Sequence, residues 1–487
     1  MSLTSALNAA QTSLSNTSTQ TNIVSRNISN ASDPDYNRRN AALATNVYGA
    51  QVVSIERAQD QALFRQTIKG ASAASGQKAL LTGLETLKGI FGGNDYETSP
   101  AAMLGTLRDT LSTFASQPGE STLARSSVAD AQTLAAGIRD ASAAVQKVRL
   151  DTDNEIERQV GKLNELLARF ETANNNVTRG TQLGRDVSGD LDERDGLLKQ
   201  ISEIVGVSTI TRSNNDVAIY TSDGTTLFET VPRPVTFTPS VGFAATVQGN
   251  SIFVDGVPMG AGQGANSTAK GSLQGLLQVR DEMAPAIQTH LDEIARALIV
   301  TFAETDQSAV PTLPDQPGLF TWAGANVPAG ATVVPGIAAS FSVNAALIPA
   351  QGGNPNLLRD GGINGAAYVA NPTGAASFSA RLDTFVVAID TPMGFDAASG
   401  LSPSTSVIDF AADSLGWLEL NRSEASSASE TREAFRFRAV EAYSNDTGVS
   451  IDEEMSMLLE LEQSYTAAAR LISAIDQMLE SLMSAVR

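Results

Sequence analysis

The sequence has no cysteine, a single histidine, only 5% aromatic residues and far fewer basic than acidic side chains. Each shortage removes a class of function. Without cysteine there can be no disulfide, no thiolate metal site and no cysteine nucleophile. His290 alone cannot build a multi-histidine metal site, and no G-x-S-x-G elbow accompanies it. Large rings dominate compact cores and small-molecule pockets. A chain that uses Ala, Ser, Thr and Gly instead suits thin helical bundles with close backbone contacts, although an alanine-rich genome produces the same bias. The formal net charge of −20 argues against nucleic acid, which needs clustered Lys and Arg, and against an anionic membrane surface. The charge is spread rather than blocked, which fits a solvated surface. No apolar run approaches the roughly 18 residues of a membrane span, so no membrane insertion is expected. The opening MSLTSALNAAQTSL has no basic segment, apolar core or cleavage signature, so no cleaved signal peptide is expected.

At 487 residues with 42% apolar content, several folded domains are expected. The two ends are the most regular parts. Leu3, Leu7, Ala10, Leu14, Val24 and Ile28 fall on alternating four-and-three spacing, with Thr17 and Thr21 in the remaining positions. This is a heptad seam with little charge around it. It should stop near Asn30, because Asp33-Pro34 follows and the residue before Pro is pushed out of the helical region. Near the other end, Ser450 and Glu453 form a capping box. From there Ile451, Leu458, Tyr465, Ile472, Leu479 and Val486 recur every seven residues, while Leu461, Ala468, Ile475 and Leu482 fill the complementary positions. Only Glu454 breaks the stripe. One helix of about 38 residues, roughly 57 Å long, is expected. Such a stripe needs a partner, and the N-terminal seam is the obvious candidate.

Between the ends, helical patterns cover 59–90, 101–115, 122–177, 190–205, 273–304, 378–389 and 407–442. The stretch 207–257 is rich in Val, Ile, Thr and Phe and carries turn signals at Asn214-Asn215, Asp223-Gly224, Gly249-Asn250 and Asp255-Gly256, which predicts a small antiparallel sheet. The stretch 310–372, rich in Pro and Gly, reads as a loop-rich β element with strand-like runs such as 338–343. The fold class is therefore mainly α with a β insertion (α+β). Three parts are expected: residues 1–50 with 447–487 as a coiled-coil inner domain, 51–309 with 373–446 as a helical-bundle middle domain carrying the β region, and 310–372 as an outer element. No repeat at solenoid periods is evident.

The acidic pairs Asp192-Glu193 and Glu453-Glu454 could suggest acid/base carboxylates. Adjacent helical residues do not face each other, so solvated faces and helix N-terminal charge are the expected roles. Asp315 and Asp360 do not meet a calcium-loop spacing, and the glycines of 260–264 lack the Lys of a phosphate loop. No enzyme, catalytic set, cofactor or metal site is expected.

Three stretches resemble known proteins. NISNASDPDYNR (27–38) is similar to the motif after the first helix of rod, hook and hook-associated flagellar proteins, where Asn-rich residues precede a Pro-Gly-Tyr-x-Arg turn. Pro34, Tyr36 and Arg38 match, while Asp35 stands in place of Gly. LDERDGLLKQISEIVGV (191–207) and GVSIDEEMSMLLELEQSYTAAARLISAIDQMLESLM (448–483) resemble the mid-chain and C-terminal helices of the hook-associated protein one family. The resemblance implies a structural subunit, exported unfolded through the flagellar type III apparatus, that forms a homo-oligomeric ring between hook and filament. Its implied partners are the hook protein, hook-associated protein three and an export chaperone. The expected assembly interface is Leu3, Leu7, Leu14, Val24, Ile28, Tyr36, Ile451, Leu458, Leu461, Tyr465, Ile472, Ile475, Leu479, Leu482 and Val486, with Tyr36 anchoring a neighbour. Two other readings stay open: another axial component, or a secreted effector or adhesin delivered by its coiled-coil ends.

Overall fold

A computed structural model describes residues 3–46 and 49–485. The N-terminal seam forms helix α1 (Leu3–Ser29), which ends before Asp33-Pro34 as the backbone sterics require. A hairpin follows, β1 (Arg39–Asn46) and β2 (Gly49–Arg57), with a bulge between Ala42 and Leu43. The helical sequence pattern gives no sign of this hairpin. Asn16 on α1 holds it from the side. Its amide donates to the Ala50 carbonyl and accepts from the Val52 N–H, so a side chain satisfies backbone groups on the open edge of β2.

Helices α2 (Gln61–Gly89), α3 (Pro100–Ser116), α4 (Ser121–Gln182) and α5 (Ser188–Ile204) come next. Asp60 caps α2 and Ser99 caps α3, each accepting backbone N–H groups of its first turn. Helix α4 runs 62 residues, about 93 Å, and serves two separate cores. Its first half packs Leu134, Ile138 and Val145 among α3, the later helices and Phe302, Phe320, Phe341 and Phe410. Its second half packs Ile156, Leu163 and Phe170 among α5 and two small sheets. At the changeover lies a buried polar seam. Arg280 pairs with Asp153 there, and Arg149 donates to the carbonyls of Arg280, Ala244 and Val247.

The β region holds two three-stranded antiparallel sheets rather than one: β3 (Val207–Thr211), β4 (Val217–Thr221) and β5 (Thr226–Phe228), then β6 (Val235–Thr236), β7 (Phe253–Val254) and β8 (Val257–Pro258). The turn signals at 214–215 and 255–256 sit where the chain reverses. Asn214, Asn215, Asp255 and Gly256 all have positive φ, the conformation that primed turns require.

Helix α6 (Ser272–Gln278) passes through a π-helical segment (Val279–Met283) into α7 (Ala284–Thr301). The stretch 310–372 is loop-rich, with one strand pair, β9 (Phe320–Thr321) with β10 (Ser342–Val343). It buries Leu319, Ile337, Leu347 and Leu358 in the same core as α3 and α7, so it packs into the helical body. Most of the expected 338–343 strand is instead a helical turn, α8 (Ile337–Ser340). The buried carboxylate of Asp292, on α7, accepts from the Gly336 and Ala338 N–H groups at 2.9 Å each. That distant acceptor does the work of an N-cap, which no local sequence signal reveals. Short helix α9 (Leu357–Asp360), helix α10 (Ala380–Asp390), the pair β11 (Met393–Gly394) and β12 (Ser404–Thr405), and the long helices α11 (Val407–Thr447) and α12 (Ile451–Ala485) complete the chain. The mainly α architecture with small antiparallel β elements is as expected.

His290 is fully buried in the body. Its Nε2 lies 2.9 Å from the Ser399 carbonyl oxygen and its Nδ1 3.0 Å from the Ser414 hydroxyl. A carbonyl only accepts, so Nε2 carries a proton and donates it. Burial lowers its pKa to about 4. The unfolded chain binds a proton near pH 6.5 and the folded chain only near 4, so stability is intact above 6.5 and falls as pH drops toward 4. Asp292, pushed up by burial to about 6, works in the opposite direction. Comparing native protein with His290→Gln cancels the Asp292 contribution. Between pH 8 and pH 5 the native protein should lose about 2 kcal/mol relative to that variant. Denaturant melts at the two pH values check this, and parallel changes in the two proteins would rule it out.

Candidate assembly site

Helix α1 packs against α12, and the two run antiparallel. Asn27, in the last turn of α1, meets Glu454, in the first turn of α12, at 3.0 Å. A seven-residue file is buried on each helix, Ala10, Thr17 and Val24 on α1 and Glu454, Leu461, Ala468 and Ile475 on α12, and Ile23 and Asn27 are buried beside the first near the end of α1. Leu3, Leu7, Leu14 and Ile28 flank the first file and are half-buried, as are Leu458 and Ile472 beside the second. Ile451, Tyr465, Leu479 and Leu482 lie exposed on α12, and so do Leu459, Leu471 and Met483. Val486 lies outside the described residues.

Glu454, which breaks the apolar stripe, is the centre of the arrangement at 0% exposure. Its Oε1 accepts from Arg38 Nε at 2.7 Å and its Oε2 from Asn27 Nδ2 at 3.0 Å. Its neighbour Glu453 reaches Arg38 from the solvent side at 3.0 Å. Asn27, 1% exposed, also donates to the Arg39 carbonyl and accepts from the Arg39 N–H and the Tyr36 hydroxyl. The Tyr36 hydroxyl is thus committed within the chain rather than to a neighbour, and the Arg39 guanidinium lies 4.8 Å from its ring centre.

The knot continues into the body. Arg39 and Arg57 both pair with Asp192, at 3.1 and 2.9 Å, and Arg57 also pairs with Asp195 at 2.6 Å. Asn37 donates to Asp192 as well. Asp192 and Glu454 are therefore not the solvated charges that their sequence context suggested. In each pair one acid turns inward and is neutralised by arginine, while Glu193 and Glu453 remain at the surface. The turn itself is set by Asp33, whose carboxylate accepts from the Asp35 N–H at 3.0 Å. Asp35 is not among the residues with positive φ, so this turn does not need glycine. Its carboxylate instead pairs with Lys199 on α5 at 2.8 Å and packs above Gly196, where an added methyl would lie 3.1 Å from Asp35 Oδ2. Lys199 also lies 5.6 Å from the Tyr443 ring centre on α11. Arg38 N–H donates to the Thr447 carbonyl, closing the knot onto the end of α11.

All three stretches singled out in the sequence (27–38, 191–207 and 448–483) thus meet at one place, through ion pairs and hydrogen bonds that join the terminal helices to the body. Nothing in this geometry resembles a reaction centre. Among the described residues, no group of three or more His, Asp or Glu is placed to hold a metal ion, and no helix is long and apolar enough to cross a membrane.

The family described as flagellar hook-associated protein FlgK helical domain matches residues 84–319, and that of the flagellar basal body rod FlgEFG protein C-terminal region matches residues 440–485. Flagellar hook-associated protein 1 of Bacillus subtilis (strain 168) is 22% identical over 518 residues, covering 98% of this chain and 96% of that protein. The solved flagellar hook junction protein FlgK from Burkholderia pseudomallei overlaps 53% of this chain and 46% of its own, at 19% identity and a TM-score of 0.42.

Proposed function

We propose that the chain is a flagellar hook-associated protein of the type 1 family, which the family match over residues 84–319 and the relative covering 98% of the chain support, and that it forms the junction on which the flagellar filament grows from the hook. It is a flagellar structural protein. The subunit travels through the type III export apparatus with its termini unfolded, assembles as a ring at the hook tip, and contacts the hook protein on one side and hook-associated protein three on the other. An export chaperone holds it beforehand.

The observation that carries this reading is the incomplete burial of the α1–α12 pair. The facing files bury only a few apolar side chains beside Ala10, Thr17 and Ala468, and around its circumference α12 keeps Ile451, Leu459, Leu471 and Leu482 about half exposed. Each fully buried Leu or Ile contributes about 1.5–3 kcal/mol, whereas ordering each backbone residue costs about 1–2 kcal/mol. A two-helix pair of this kind gains its remaining burial from neighbours, and its order is then coupled to assembly.

The test is deletion of the gene, with electron microscopy of the cells and assay of flagellin in the medium. Bare hooks with flagellin lost to the medium are expected. Normal filaments would favour the reading of another axial component or a secreted effector.

A further inference from the structure

Beside the knot lies a cavity of about 330 Å³, between the start of α2, α5 and the β3–β4 sheet. Three arginines line it: Arg57, Arg65 and Arg194. Its two carboxylates are already committed. Asp195 pairs with Arg57 at 2.6 Å, and one oxygen of Asp60 accepts from the Ala62 and Leu63 N–H groups at 2.7 and 2.9 Å. Among the described residues, neither Arg65 nor Arg194 has a carboxylate within ion-pair distance.

Arg194 is only 6% exposed. Its NH1 donates to two neutral oxygens, the side chain of Asn174 and the carbonyl of Asn215, and its Nε, like that of Arg57, makes no hydrogen bond. A guanidinium buried with no direct ion pair and an unmade hydrogen bond is costly. The carboxylates of Asp195 and Asp216 lie near enough to act on its charge, but neither is within ion-pair distance of it. The N-terminus of α2 opens at the same cavity, but the Asp60 carboxylate already caps it, so the positive potential there comes from the arginines.

We propose that this cavity is an oxyanion site. It takes a carboxylate or a sulfate-like group, with Arg194 as the buried cation and Arg65 closing from the solvent side. Two sources share that chemistry: a free anion, and an acidic side chain presented by a second copy of this chain. Binding does not depend on the assembly reading, because the free protein should take the anion by itself.

The experiment uses the full chain as monomer. Sodium sulfate is titrated at constant ionic strength against sodium chloride, with the melting temperature as readout. A saturable rise in the low millimolar range is expected. Arg65→Gln, a surface change that leaves the fold intact, should weaken the apparent affinity about tenfold, the loss of one charge-assisted contact. Arg194→Gln should abolish the response and, by removing a buried charge that no carboxylate contacts directly, should not lower the melting temperature in chloride. A rise that does not saturate, or that is equal in native protein and both variants, reflects general salting-out and overturns the proposal. A second arm follows self-association by light scattering. If sulfate suppresses it and Arg65→Gln weakens it, the natural occupant is the acidic side chain of another copy. If association ignores both while the monomer still responds, the occupant is a free anion.

Discussion

Glu454→Ala should release the terminal helices from the body while leaving the two cores folded. Glu454 is the acid on which Arg38 and Asn27 converge, at 2.7 and 3.0 Å, and its side chain is 1% exposed. Truncating it leaves Arg38 Nε and one N–H of the buried Asn27 amide without an acceptor, while Arg38 keeps Glu453 and Asn27 keeps the Arg39 carbonyl. Breaking a buried pair from one side costs about 3–5 kcal/mol, more than the pair itself contributes. The cost falls on α12, α1 and the 30–39 turn, since neither core contains Glu454. Hydrogen exchange should show lost protection in the first turns of α12 and the last turn of α1, and calorimetry should show an unchanged main transition. Replacing both partners, Arg38→Met with Glu454→Leu, should recover much of the protection, because no charge is then stranded. Protection in Glu454→Ala equal to that of the native protein would falsify the central role given to this residue.

That result would also explain what sequence reading could and could not see. Periodicity located the helices well: α4, α11 and α12 lie where Ala and Leu spacing placed them, and the capping box at Ser450 marks the start of α12. The fold class followed from the same signals. The site was legible only as three separate strings, since nothing in one dimension says that 27–38, 191–207 and 448–483 share a volume. Rules for helix faces treat an acid in an apolar stripe as a flaw, and treat adjacent acids as solvated. Both rules fail at Glu454 and Asp192 because their counter-charges, Arg38 and Arg57, arrive from more than a hundred residues away. The β1–β2 hairpin was invisible for a related reason. Its strands have little apolar alternation, and part of what holds it is Asn16 on another element. The helical turn α8 depends in the same way on Asp292. Long-range polar contacts override local propensity at each of these points.

The departure from glycine at Asp35 has the same logic at a smaller scale. The turn conformation leaves a side chain free to form, and the residue that occupies it finds Lys199 across a gap that Gly196 keeps open. A change at either position is therefore felt at the other, which couples the terminal turn to α5.

The heptad on α12 separates two consequences that its sequence alone runs together. Leu461 and Ile475 lie in the file that faces α1, 8% and 2% exposed, whereas Leu458 and Ile472 lie beside it, half-buried. Leu461→Asp with Ile475→Asp places two carboxylates in the α1–α12 seam, where burying an unpaired charge is prohibitive. That variant should lose the pairing itself: α1 and α12 become protease-sensitive in the isolated subunit, while the body remains resistant. Leu458→Asp with Ile472→Asp should act differently. Each side chain can turn its carboxylate to water in the monomer, so pairing should weaken by only about 1–2 kcal/mol, yet the charges would lie on the flank that a neighbouring subunit would cover in the proposed ring. Export and folding of the body should be normal, and incorporation at hook tips should fall to background in both variants. Limited proteolysis of purified subunits and immunolabelling of hooks distinguish the two. Normal incorporation of Leu458→Asp with Ile472→Asp would mean that this flank never contacts a neighbour, and the layered packing of terminal helices would have to be abandoned in favour of contacts made by the body alone.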